Sequence, residues 1–336
     1  MTEIAMKPHA ITAAAFALSF AFAFATVANT ADAQTTTQRY PSKTIRFVSP
    51  FAAGGSTDGL ARLIGQRLTE AWEQPVVVEN RPGAGGTLGS DIVAKAPPDG
   101  HTMQVNVSTT VTLPLFYAKL GFDPLTSFQP VGLIGATNFV LVVHQSVPVT
   151  TVREWITWAK SQPGKLNYAS PGLGTHHHLC MELLKQMVGV DIVHVPYKAA
   201  SQAYTDFIGG QIPTMFMPLP NALGFAKEGR IRLLAGTMRE RFGLGPELPS
   251  LSEAGVRDFN VEPWYGLWAP AGMGADLLAK YDTLLREVLA EPETREALAK
   301  IGVVAKSSSP TDLGKIARAE FELWTRVLQQ AGIKPE

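Results

Sequence analysis

From about residue 44 to the C-terminal end, short apolar runs alternate with longer stretches in which apolar residues recur every three or four positions. Residues 44–48 read as a strand, and residues 59–72 place Leu60, Leu63, Ile64, Leu68 and Trp72 near helical spacing. Further strands are predicted at 76–79 and 103–107. The strand-then-helix unit recurs at 166–169 with 178–187, at 192–195 with 201–208 and at 214–217 with 221–228, followed by a strand at 230–236. Two amphipathic helices, 275–290 and 311–330, close the chain, the second opened by Pro310 and Thr311. Such alternation predicts an α/β fold with largely parallel sheets.

No Gly/Ser linker divides this pattern, so two domains would have to be joined by structured crossings. The strand-like runs 139–143 and 261–268 are the candidates. They place residues 34–143 and 259–336 in one discontinuous domain and 144–258 in a second, with a central cleft between two lobes, a usual place for a ligand.

The first 33 residues stand apart. Lys7 and His9 precede an apolar run over 11–25 interrupted only by Thr12 and Ser19, and Ala31-Asp32-Ala33 offers small residues before Gln34. That layout predicts an export signal peptide cleaved near Ala33. A membrane anchor over 10–28 is the alternative, but its residues are mostly small alanines.

Composition removes several functions. With 29 basic and 29 acidic residues, the chain has no field for holding nucleic acid. A single cysteine, Cys180, excludes an internal disulfide and multi-cysteine metal sites. Its default role is that of a small buried hydrophobe. His176, His177 and His178 are consecutive, so their side chains fan out by about 100° each and do not converge on one ion; no metal and no cofactor is expected. No activated nucleophile is framed by a catalytic motif.

Two glycine-rich loops carry the candidate chemistry. Phe51, Ala52, Ala53, Gly54, Gly55, Ser56, Thr57 and Asp58 lie between a strand and a helix, where free N–H groups and the helix dipole hold an anion. An ordinary capped turn is the simpler account. No Lys follows these glycines, which excludes a nucleotide loop. Gly172, Gly174 and Thr175 occupy the same setting in the second lobe, and Ser108 and Thr109 follow the strand at 103–107. Trp264, Tyr265 and Trp268 are expected in the core, with one of them facing the ligand as the alternative, and 80–86 is a turn-rich segment with no chemistry readable from it.

The segments 40–45, 50–58 and 76–86 resemble the opening of the Bug family, the periplasmic solute-binding components of tripartite tricarboxylate transporters. The likeness continues through 96–100, 166–168, 194–198, 248–251, 253–255 and 269–272, in order along nearly the whole chain after the leader. The resemblance implies a two-lobed, hinge-closing, type II-like periplasmic binding protein without a catalytic centre. It places the ligand between Phe51 to Asp58 and a second loop that includes His178, with Ser108 and Thr109 as a third contact. The implied partners are a small carboxylate and the transporter's membrane subunits, with no membrane insertion after signal cleavage. At Met217 the family commonly has an acidic residue; if this position reaches the cleft, a mono- or dicarboxylate, aromatic or aliphatic, is favoured over an amino acid. A signalling receptor and an exported enzyme are the other classes.

Overall fold

The computed structural model describes Thr2 and residues 40–335; the expected leader and its cleavage point lie outside the described residues. The body from Lys43 onward contains two sheets. Its elements run β1 (Ile45–Ser49), α1 (Ser56–Trp72), β2 (Val76–Asn80), α2 (Thr87–Ala94), β3 (Thr102–Val107), a 3-10 helix (Ser108–Leu115), β4 (Phe128–Ala136), β5 (Phe139–His144), α3 (Val152–Lys160), β6 (Leu166–Ser170), α4 (His176–Val188), β7 (Ile192–Pro196) and α5 (Ala200–Ile208). The chain continues through β8 (Thr214–Pro218), α6 (Leu219–Lys227), β9 (Ile231–Gly236), β10 (Trp264–Pro270), α7 (Ala275–Ala290), α8 (Pro292–Lys300), β11 (Val304–Ala305) and α9 (Pro310–Gln330).

The first sheet has the order β11-β4-β10-β3-β1-β2, and the second β7-β6-β8-β5-β9. Within the first, β1 is parallel to β2 and β3, while β10 runs antiparallel between β3 and β4. Within the second, β6 is parallel to β7 and β8, and β5 is antiparallel to β8 and β9. Each sheet is therefore mixed, with a parallel portion that carries the strand–loop–helix units.

The chain leaves the first sheet at the C-terminal end of β4 and enters the second at Phe139, which pairs with Pro218 at the C-terminal end of β8. Two residues, Thr137 and Asn138, make that passage. The loop-bearing edges of the two sheets are therefore brought together by the shortness of this connection. Residues 139–143, expected as a crossing, are an interior strand of the second sheet; an uninterrupted apolar run is what a strand flanked on both sides and covered on both faces requires. The return runs beside the outgoing passage. Thr137 N–H donates to Pro263 O at 2.9 Å, Thr237 N–H to Phe139 O at 2.9 Å, and Val261 N–H to Thr237 O at 2.8 Å.

The second sheet is covered on one side by Trp155 of α3 and Leu179 and Leu184 of α4, and on the other by Phe207 of α5 and Ala222 of α6. A third apolar cluster joins Val48, Leu133, Trp264 and Trp268 of the first sheet to Leu313 and Ala317 of α9. The far end of α9 instead places Trp324, Val327 and Leu328 among the second sheet's residues. The last helix thus straps both halves, and Gln186 Nε2 donates to Val327 O at 2.6 Å. Among the described residues no helix is long and apolar enough to cross a membrane.

Candidate functional site

The first loop springs from the C-terminal end of β1. Gly54 takes φ +84°, a left-handed conformation that favours glycine, and Gly55 is the N-cap of α1 with no side-chain cap. The first N–H groups of α1 have no acceptor within the helix and are free for an anion. Residues Ala52 to Ser56 are exposed, Phe51 is half-buried, and Thr57 and Asp58 are buried.

Asp58 holds this loop from beneath. Its carboxylate accepts from Gly54 N–H at 2.9 Å, Arg62 Nε at 3.1 Å and Asn80 Nδ2 at 3.0 Å. Burial by itself would raise its pKa, but those three donors outweigh it and hold the carboxyl below its ordinary value. Asp58 is therefore committed to shaping the loop. Asn80 also donates to Phe51 O at 3.1 Å. The glycines after Asn80 let the turn and the start of α2 lie against the loop: a Cβ on Gly89 of α2 would come 2.7 Å from Pro50 Cα, and one on Gly86 of the turn would come 3.3 Å from Phe51 Cζ. The turn-rich segment at 80–86 thus buttresses the loop. On the other side, the buried Tyr265 of β10 lies beside the Ser56 side chain.

The second loop follows β6. Gly172 and Gly174 have φ +125° and +75°, and Thr175 is the N-cap of α4, again with no side-chain cap. Ser170 Oγ accepts from Gly172 N–H at 3.1 Å, and Thr175 Oγ1 donates to Gly172 O at 2.8 Å, which folds the loop onto itself. A Cβ on Gly174 would lie 2.8 Å from Cδ2 of Phe116, a residue that follows the first sheet's 3-10 helix. The two halves touch there closely enough that only a glycine fits.

Helix α4 begins two residues earlier than the periodicity predicts, so all three histidines sit in its first turn, and all three are buried. Their partners differ. His176 Nε2 is 2.8 Å from Ser108 Oγ, a side-chain bond between the halves. His177 Nε2 is 3.1 Å from the Tyr204 hydroxyl. His178 Nδ1 accepts from Gly174 N–H at 3.3 Å, and its ring stacks on His194 with centroids 4.4 Å apart. His194 Nε2 in turn meets Ser170 Oγ at 2.6 Å. Burial depresses His176 and His177 to about 3, His178 to about 4 and His194 to about 3, so all four are neutral near pH 7.

The first loop, Ser108 and the second loop therefore gather at the facing edges. Ser108 is fully buried at the start of the 3-10 helix, and Thr109 beside it is half-buried. Met217 has no exposed surface and lies in the apolar cluster with Val140, Phe207 and Leu219. Cys180 is fully enclosed, and burial pushes its thiol well above the ordinary value. Trp264 and Trp268 pack in the first-sheet core. An open groove of about 920 Å³ runs beside β9, lined by Leu223, Arg232 and Leu248 among others, and contains none of these site residues. Asn80, His176 and Tyr265 complete the site without any motif that marks them.

A family model described as "Tripartite tricarboxylate transporter family receptor" matches residues 60–333. Protein BugT of Bordetella pertussis is 30% identical over 88% of this chain and 91% of its own. Two solved structures from Rhodopseudomonas palustris are similar. Rpa4515, described with adipate, has TM-score 0.81 and 35% identity, covering 88% of this chain and 100% of its own. MatC, described with bound malate, has TM-score 0.76 and 31% identity, covering 86% and 100%. The two-sheet α/β fold, the family match over most of the chain and these full-length relatives agree: the chain belongs to the tripartite tricarboxylate transporter receptor family of periplasmic solute-binding proteins.

Proposed function

We propose that this protein is an extracytoplasmic solute-binding protein that captures a small carboxylate between its two halves and delivers it to the membrane subunits of a tripartite tricarboxylate transporter. The observation that carries this is the pair of uncapped helix N-termini, α1 behind Phe51 to Asp58 and α4 behind Gly172 to Thr175, on edges joined by the Ser108–His176 bond. Each offers N–H groups and a positive dipole end to one carboxylate oxygen pair. Ordered water between ligand and backbone would let the same frame accept acids of different length. The adipate and malate of the two solved relatives support the ligand class.

In this function the two domains are the halves built on the two sheets, with β5 in the second half so that the boundary expected at 143 moves back to Thr137 and Asn138, and they close about the paired passages near Thr137 and Thr237. A ligand that prefers the closed arrangement shifts the population toward it. No catalytic step is assigned. Asp58 is committed to the loop, Cys180 is enclosed, and the histidines are neutral. The leader over 1–33 would place the mature chain in the periplasm.

A thermal-shift screen against mono- and dicarboxylates, amino acids, sugars and divalent metals tests this function. A carboxylate at 100 times its Kd should stabilise the protein by about 2.7 kcal/mol. Shifts confined to metals or sugars would overturn the proposal.

A further inference from the structure

Of the six ring nitrogens on the three imidazoles opening α4, three have hydrogen-bond partners, and one of the others is fully buried. His176 bonds Ser108 and His178 accepts from Gly174. His177 bonds Tyr204 through Nε2, while its Nδ1 is buried with no hydrogen-bond partner among the described residues. The residue is 8% exposed, with the Phe139 ring edge-on at 4.9 Å between centroids.

The position of the hydrogen on this ring follows from its partner. A neutral imidazole carries one N–H. A phenol is the stronger acid of the pair, and a bare imidazole nitrogen accepts more strongly than a phenol oxygen. Tyr204 therefore donates to Nε2, which leaves the hydrogen on Nδ1. Burial keeps the ring neutral across the physiological range. The result is a fixed N–H, with no protein acceptor, on the second residue of a 13-residue helix whose first turn has no side-chain cap. A buried donor of this kind is costly when empty and selective when filled.

The geometry points to His177 Nδ1–H as a ligand contact that donates to a carboxylate oxygen seated at the N-terminus of α4. This rests on the carboxylate function proposed above and deepens it. A neutral donor at this place accepts a carboxylate, a carbonyl or a hydroxyl oxygen. An ammonium group there would meet a donor with its own donors, and among the described residues no acidic side chain is hydrogen-bonded to His177 to receive it. The site is accordingly selective for plain and hydroxylated dicarboxylates over amino acids that present their ammonium to this position.

The experiment compares adipate binding by calorimetry in the wild-type protein and in His177→Asn, His177→Gln and His177→Phe. An Asn amide N–H lies near the Nδ1 position and a Gln amide near the Nε2 position. Adipate affinity should be nearly kept in His177→Asn and fall roughly tenfold or more in His177→Gln and His177→Phe. Nitrogen-15 spectra of the free wild-type protein should show His177 protonated on Nδ1, with that resonance moving when adipate binds. Unchanged adipate affinity in the Gln and Phe variants, or a bare Nδ1 in the free protein, overturns the inference alone. A wild-type protein that binds no carboxylate overturns the proposed function and this inference together. Aspartate binding as tightly as adipate overturns the selectivity.

Discussion

Lowering the pH from 7 to 5 is expected to destabilise the folded protein by about 4–8 kcal/mol. The cause is the group of four buried imidazoles: His176, His177 and His194 held near 3, and His178 near 4. Released by unfolding, each returns to its ordinary value near 6.5 and takes up a proton that the folded state refuses. The folded pKa lies below the unfolded one, so the stabilisation is complete above about 6.5 and is lost as pH falls toward the folded values. Each imidazole contributes about 1.4 kcal/mol per pH unit in that window. Glu320 acts in the opposite sense. Burial lifts its carboxyl to about 6 despite the hydrogen bond from Trp324, so its contribution is present at low pH and lost as pH rises through 6. One such group offsets only about 1 kcal/mol of the loss. Denaturant unfolding followed at half-unit steps between pH 7.5 and 4.5 checks this, and a stability that stays level down to pH 5 would contradict it.

Replacing Gly174 by alanine is expected to weaken dicarboxylate binding by about 10- to 100-fold, or about 1.4–2.8 kcal/mol. Two costs meet there. The backbone at φ +75° costs an L side chain about 1 kcal/mol, and the new Cβ would lie 2.8 Å and 2.9 Å from Phe116 Cδ2 and Cε2. Phe116 is itself buried and packs edge-on against His178, so its ring has little room to yield. Relief therefore falls on the loop that presents the N–H groups of α4. Gly224→Ala is the control. That glycine lies inside α6 with nothing within 4 Å of its Cβ position, so alanine there should leave binding intact and add about 0.5–1 kcal/mol of stability. Calorimetric titration of both variants tests the contrast, and equal affinities would remove Gly174 from the site.

The alternation of strands and helices, and the two glycine loops, are legible in the sequence because strand, glycine turn and helix start are local signals. The capping box of Thr151 and Glu154 is equally local and marks α3, which is absent from the expected elements. Strand β5 is less legible, since a continuous apolar run serves a crossing or a buried strand equally well. The supports of the site are of another kind. Asn80 reaches Asp58 across 22 positions, and Ser108 reaches His176 across 68; no periodicity connects them. Met217 illustrates a limit of position matching. In the fold, Met215 and Met217 share one strand face and both lie in the apolar cluster between the second sheet and α5 and α6.

The crystal structure of the protein grown with adipate tests the central claim most directly. Two-ended capture requires one carboxylate about 3 Å from the N–H groups opening α1 and the other at the same distance from those opening α4. Adipate held elsewhere, for instance in the groove beside β9, with both helix ends left open, would contradict it.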